Sequence, residues 1–404
     1  MTKANSPTHA LFQEANIPLE AVILTIGGMA LLIAGIVLFP VSRGSLPYYE
    51  NGLYGLLLIV FALQIITLGK TPFGDLRRSK LLLAAGIALA CVGMATCFLP
   101  IAHPLPRLLL IVCFGPGSLL LLLQMCLASD KLRAWLQYGG IFRRLAFGCF
   151  LVYGLAVLVA ALIWKQQLLP LPVTAAVLLL FGASTLFLAH TLQKIYLAYP
   201  EAEKQPEGEV QLSAEQDLLL LMGIFMLLLG GLLIPVNLGL LPFSGSAQLG
   251  LLMVIFAVQM LASGSTPIGA FRRSRLMILL GLVFAALGIV SCLIPDLLVA
   301  TLTVLVGVLN ILGGISGLVK TGIPLLKKPA GPAKQAPPIL TKLFTVQVTL
   351  NLLAMAFGTS MLIPNLVPGM LIGLILAANG GVLLYLLRIL VVLDKMRRAA
   401  AGSE

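Results

Sequence analysis

Charge is scarce in this chain. Only 10% of its 404 residues are Asp, Glu, Lys or Arg, against 60% hydrophobic residues and a mean hydropathy of +1.08. That composition excludes a soluble globular domain. Carboxylates inside apolar runs are scarcer still, because every Asp and Glu stands at the end of a run or between runs. Their placement argues against a proton relay or cation-coupling site, in which acids sit within the spans. Alternation at period two is missing, which excludes a transmembrane barrel. The six cysteines (Cys91, Cys97, Cys113, Cys126, Cys149 and Cys292) show no CxxC or Cys/His ligand spacing. Buried, reduced thiols are expected, with neither a metal nor a disulfide framework. No nucleophile elbow or HExxH helix is present. Gly69-Lys70-Thr71 ends like a phosphate loop, but Gln64 stands where such a loop needs its first glycine, and the matched Gly264-Ser265-Thr266 lacks the lysine. Nothing calls for a cofactor, and the expectation is a non-enzymatic protein.

What is present is long apolar runs. Twelve, at 20–40, 53–69, 81–100, 105–128, 145–164, 170–192, 216–235, 247–263, 276–295, 297–319, 342–364 and 366–393, have the length that crosses about 30 Å of hydrocarbon as helix. The fold class is therefore all-α and polytopic, in six hairpins whose first helix stops at or just before a proline: Pro40, Pro100, Pro170, Pro235, Pro295 and Pro364. Of the 26 Lys and Arg, only Arg43, Arg107 and Lys165 fall on the proline side. The positive-inside rule then places both termini and the basic turns in the cytoplasm of a cell inner membrane. The net charge of +12 is accounted for by topology, so nucleic acid is not an expected partner. Residues Asp130–Arg144 read either as a short helix lying in the inner interface or as a plain basic loop.

The chain is built twice. Gly69-Lys70-Thr71-Pro72-Phe73-Gly74-Asp75-Leu76-Arg77-Arg78-Ser79 recurs 195 residues later as Gly264-Ser265-Thr266-Pro267-Ile268-Gly269-Ala270-Phe271-Arg272-Arg273-Ser274. The same offset pairs Glu20 with Glu215, Gly55 with Gly250, Gln64 with Gln259 and Cys97 with Cys292. Beyond residue 100 the match loosens, and Pro170 pairs with Pro364 after a one-residue shift. Each repeat holds an even number of spans, so the two are parallel. The expected organisation is an N-terminal tail (1–19), a first six-helix repeat (20–197), an acidic cytoplasmic linker (198–215), a second repeat (216–398) and a tail (399–404).

Intramembrane amides are the best candidates for polar chemistry. Gln64, Gln259, Gln124 and Asn310 either pack between helices, where such a bond contributes about 0.6–2 kcal/mol, or line a polar pathway between the repeats. Gly115-Pro116-Gly117 should kink or break the fourth span. In the repeated loop, Pro72 and Pro267 are expected to end the preceding helix and Gly74 and Gly269 to allow a tight turn. Thr71, Arg77, Arg78, Thr266, Arg272 and Arg273 are candidate contacts for anionic lipid headgroups or membrane-protein partners at the cytoplasmic face.

The first span, Ile26-Gly27-Gly28 through Gly35 to Pro40, and Ala84-Ala85-Gly86 through Gly93 to Pro100, resemble the bacterial HdeD-like (DUF308) membrane proteins. The resemblance implies a tandem duplication of that family's six-helix unit. It also implies an inner-membrane protein linked to acid or envelope stress, without catalytic residues, acting alone or as a scaffold for membrane partners. The alternative is a transporter or channel for a small solute, with its pathway between the repeats.

Overall fold

The computed structural model describes residues 17–101, 103–165, 168–203, 209–210, 212–326, 338–363 and 366–401. The N-terminal tail up to residue 16 and Pro364 lie outside them. All twelve expected spans are helices long and apolar enough to cross a membrane. The first repeat comprises α1 (Leu19–Ser42), α2 (Glu50–Leu63), α3 (Lys80–Phe98), α4 (Pro104–Val112), α5 (Ser118–Leu127), the short α6 (Ala134–Tyr138), α7 (Gly140–Trp164) and α8 (Leu171–Ala198). The second comprises α9 (Ala214–Asn237), α10 (Gly245–Ser263), α11 (Arg275–Leu293), α12 (Val299–Leu326), α13 (Pro338–Leu362) and α14 (Gly369–Ala401). The Asp130–Arg144 segment thus contains a short helix, entered through a π-helical turn over Ser129–Arg133.

Prolines act at three different places. Pro40 and Pro235 sit in the last turn of α1 and α9, each of which runs two residues further. Helices α3 and α11 end two residues before Pro100 and Pro295, as the restriction on the preceding residue requires. Pro170 instead caps the start of α8, its carbonyl accepting from Val173 N and Thr174 N, and Pro368 does the same for Leu371 N and Ile372 N. Pro368, not Pro364, is therefore the counterpart of Pro170, at an offset of 198.

Packing follows glycine. α1 lies along α8 where Gly28 faces Gly182, and α9 lies along α14 where Gly223 faces Gly380; a β-carbon on Gly182 would stand 2.6 Å from Leu32 N, and one on Gly380 2.6 Å from Leu227 N. The closest partner of the first span in each repeat is thus the sixth. Neighbours across the proline turn touch less. The third pairing is α12 with α13, matched in the first repeat by the fourth span against α7.

The chain forms two compact units. One holds Met1–Gln211, Ser244–Ala262 and Arg272–Leu298; the other holds Leu212–Phe243, Ser263–Phe271 and Val299–Glu404. Helices α10 and α11 of the second repeat therefore fold with the first. Their seam with α2 and α3 is symmetric: Tyr49 N donates to Leu293 O and Ser244 N to Phe98 O, both at 2.9 Å. Adding 195 to 49 and 98 gives 244 and 293, so each bond is the image of the other. Cys97 Sγ donates to Gly52 O and Cys292 Sγ to Ala247 O, both at 3.6 Å, and these bonds are images too. Five of the six thiols are buried or half-buried, while Cys126 is exposed.

Candidate functional site

The repeated loop is a β-hairpin. Gly69, at φ 66°, ends the π-helical turn Gln64–Leu68 that continues α2; this glycine, rather than Pro72, stops the helix. The chain then pairs β1 (Lys70–Thr71) with β2 (Gly74–Asp75), as β3 (Ser265–Thr266) pairs with β4 (Gly269–Ala270). Thr71 Oγ1 donates to Gly74 O at 2.7 Å and accepts from Phe73 N at 3.2 Å; Thr266 repeats both bonds with Gly269 and Ile268. Gly74 and Gly269 take φ values of 138° and 145°, which favour glycine. Ser79 and Ser274 cap α3 and α11 by accepting from Leu82 N and Met277 N. The retained glycines, threonines and serines therefore each have a bond or a dihedral to satisfy.

In the first repeat this hairpin roofs a cavity of about 360 Å³. Pro72 is seated on Gly117, and Gln124 Nε2 donates to Phe73 O at 3.3 Å, which ties the roof to the fourth span. Below it, Glu20 at the start of α1 forms an ion pair with Lys70 at 2.5 Å and accepts a short hydrogen bond from Tyr196 of α8. The Glu20 side chain is 14% exposed and that of Lys70 is 36% exposed. Asp75, Lys131 and Trp135 complete the rim. Trp135 packs with the buried Met125, Leu145, Cys149, Leu188 and Ile195.

The lining descends α1 from Glu20 to Leu31, eleven residues or about 16 Å of helix and half the membrane's hydrocarbon. Polarity falls along the way. Gln64, Gln124, Ser118, Tyr153 and Thr185 lie on the walls, and Phe61, Phe114 and Phe181 close the apolar side in two edge-on contacts with centroids 5.1 and 5.7 Å apart. Two walls are π-helical: Gln64–Leu68, and Cys113–Gly117, where Pro116 breaks the fourth span as expected. A π turn inserts a residue and turns side chains out of α register, a device common at binding sites.

The second repeat has a groove of about 530 Å³ between α12 and α13, lined by Gly317, Lys320, Thr321, Phe344, Gln347, Leu350 and Asn351. Its place in the repeat is the same. Gly313 meets Pro267 as Gly117 meets Pro72, an offset of 196 for the fourth span, and Gly358 meets Ile311 as Ala160 meets Gly115, an offset of 198 for the fifth. By those offsets Lys320, Gln347 and Asn351 stand for Gln124, Cys149 and Tyr153, which line the first cavity. With 198 also holding for the sixth span, Asn310 and Asn379 stand for Phe114 and Phe181, so the aromatic closure has no counterpart. Neither α10 nor α12 contains a π turn.

Comparisons with protein-family models, curated proteins and solved structures return no match for this chain.

Of the four amides expected to mark a pathway, the structure brings Gln64 and Gln124 together in the first-repeat cavity. Gln259 is half-buried on α10 and outside that lining, and Asn310 donates to Val306 O of its own helix at 2.9 Å. The cavity holding Gln64 therefore lies inside the first repeat, lined by every span except α3, and not along the seam of α2 and α3 with α10 and α11. Thr71 and Thr266 spend their hydroxyls inside the hairpins. Arg77 and Arg272 are exposed, and Arg78 and Arg273 are half-buried. Sequence reasoning missed Glu20, Lys70, Tyr196, Trp135 and the phenylalanine closure. The available signal was Lys70 itself, which departs from its repeat partner Ser265.

Proposed function

We propose that this is a non-enzymatic multi-pass inner-membrane protein, with both termini cytoplasmic, that carries a small amphiphile in the cavity of its first repeat. The observation that carries the reading is the graded lining: an ion pair and a Trp at the charged rim, amides and hydroxyls on the walls, and three phenylalanines at the closed end. About 360 Å³ falls within the roughly 300–1,000 Å³ of small-molecule sites. The rim combines Glu20 and Asp75 with Lys70 and Lys131, so it suits a zwitterionic or hydrogen-bonding head over an apolar tail. Glu20 is occupied by Lys70 and Tyr196 and the lining has no histidine, which favours carriage over acid–base catalysis. A cavity open to one side and closed near mid-membrane is one face of an alternating-access carrier. A scaffold alone would need neither cavity nor ion pair. The acid- or envelope-stress role implied by the HdeD-like resemblance is a setting for such a carrier. Arg77, Arg78, Arg272 and Arg273 would lie among anionic headgroups.

Trp135 lies on the rim, and the chain's other tryptophan, Trp164, can be replaced with Phe. Titrating that variant in phosphatidylcholine nanodiscs with 11-bromoundecylphosphocholine should quench Trp135 saturably, and filling the closed end with Ala156→Phe should abolish saturation. Linear quenching, identical in both proteins, would remove the proposal. Orientation has its own check: a reporter active only outside the cytoplasm should work when fused after Pro100 or Pro295 and stay silent after Arg78 or Arg273. The opposite pattern would invert the topology.

A further inference from the structure

The second-repeat groove is chemically unlike the first cavity. It has no carboxylate in its lining, a single cation in Lys320, and two amides, Gln347 and Asn351, one turn apart on the same face of α13. None of the three makes a side-chain hydrogen bond or ion pair among the described residues, whereas Thr321 Oγ1, beside them, donates to Gly317 O at 2.7 Å. Nine residues separate Asn351 from Lys342, near the basic end of α13, so its amide stands about 13 Å further along the span. At that depth water is scarce, and an amide without a partner costs several kcal/mol. Gly317 on α12 leaves the Asn351 side chain its place against that helix, and Phe344 and Leu350 supply apolar wall.

A ligand that answers all of these needs one negative charge at the level of Lys320, hydrogen-bond acceptors below it at Gln347 and Asn351, and an apolar continuation. A glycerophospholipid presents phosphate, ester carbonyls and acyl chain in that order along the membrane normal. We propose that the groove between α12 and α13 holds one anionic phospholipid, its phosphate on Lys320 and its ester carbonyls accepting from Gln347 and Asn351. The assignment stands apart from the amphiphile reading of the first repeat, because it uses none of the same residues.

The test is native mass spectrometry of the full-length protein in mild detergent, titrated with phosphatidylglycerol and with phosphatidylcholine of the same chains. The first phosphatidylglycerol should bind more tightly than the first phosphatidylcholine. Lys320→Gln should weaken it about fivefold, the effect of one basic residue near a lipid surface. Lys320→Arg should restore binding, Asn351→Leu should weaken it, and Lys165→Gln, outside the groove, should leave it unchanged. Equal affinity for the two lipids, or unchanged phosphatidylglycerol binding in a monodisperse Lys320→Gln protein, would overturn the proposal. Displacement of the lipid by millimolar glycerol 3-phosphate would reassign the site to a soluble phosphate.

Discussion

At the scale of single residues, the informative one is Glu20. It is the second residue of α1, a position at which an acid faces the favourable end of the helix dipole and usually meets solvent. Here the hairpin folds back over it, so its partner arrives from fifty residues away as Lys70, and Tyr196 closes the other side. Asp217 shows the same pattern: it stands in the first turn of α9 and is 1% exposed. Position at a helix end was legible in the sequence; burial at that end was not, since it depends on which distant segment covers the turn. The energetics of the pair follow from its intermediate exposure. Removing one partner should cost more than the roughly 1 kcal/mol of a surface pair and less than the roughly 3–5 kcal/mol of a fully buried one. Lys70→Met and Glu20→Leu should therefore each lower thermal stability, and the double variant should be more stable than the sum of the two losses predicts. Unfolding followed by Trp fluorescence in detergent reads this directly, and strict additivity would show that the two residues are uncoupled.

At the scale of elements, the two repeats differ where the chain departs from α geometry. Pro116 has no N–H to give to the carbonyl four residues back, and the fourth span absorbs this as a π turn over Cys113–Gly117. The matched α12 has no proline there and stays α-helical. Gly115-Pro116-Gly117 made that break readable in advance. The π turn over Gln64–Leu68 was not readable, because Gln259, its repeat partner, sits in regular α-helix, and nothing in the five residues accounts for the difference. Removing one residue's worth of π geometry turns the following side chains by about 100°. Pro116→Ala should thus leave the protein folded while rotating Phe114 and Ser118 relative to the cavity. Saturable quenching of Trp135 by the brominated amphiphile should weaken at least tenfold, with thermal stability unchanged or raised because Ala is the better helix former. Retained affinity would mean that the π turn is incidental to the site.

At the scale of the whole molecule, the duplication was legible because its offset is constant through α3 and α11. The loss of register beyond residue 100 has a physical origin: one residue is gained by the middle of the fourth span and two more before the fifth, and only the packing of Gly117 and Gly313, then of Ala160 and Gly358, shows where. Also hidden was the exchange of partners, in which α10 and α11 complete a unit with the first repeat. The bonds across that seam come in image pairs, Tyr49 to Leu293 with Ser244 to Phe98, and the buried Cys97 and Cys292 are image residues beside it. A surface whose contacts are its own images is self-complementary, the geometry of a two-fold dimer. A fragment of residues 1–211, deprived of α10 and α11, should therefore close the seam with a second copy of α2 and α3. Mass measurement in detergent should find a dimer, and mild oxidation should link Cys97 to Cys97 of the partner copy. Gly52 packs directly on the Cys292 carbonyl in the intact chain. Gly52→Leu should consequently turn the fragment dimer into monomer. A wild-type fragment that is monomeric and as thermostable as the full chain would show instead that the first repeat is complete by itself and that the image bonds add nothing to its folding.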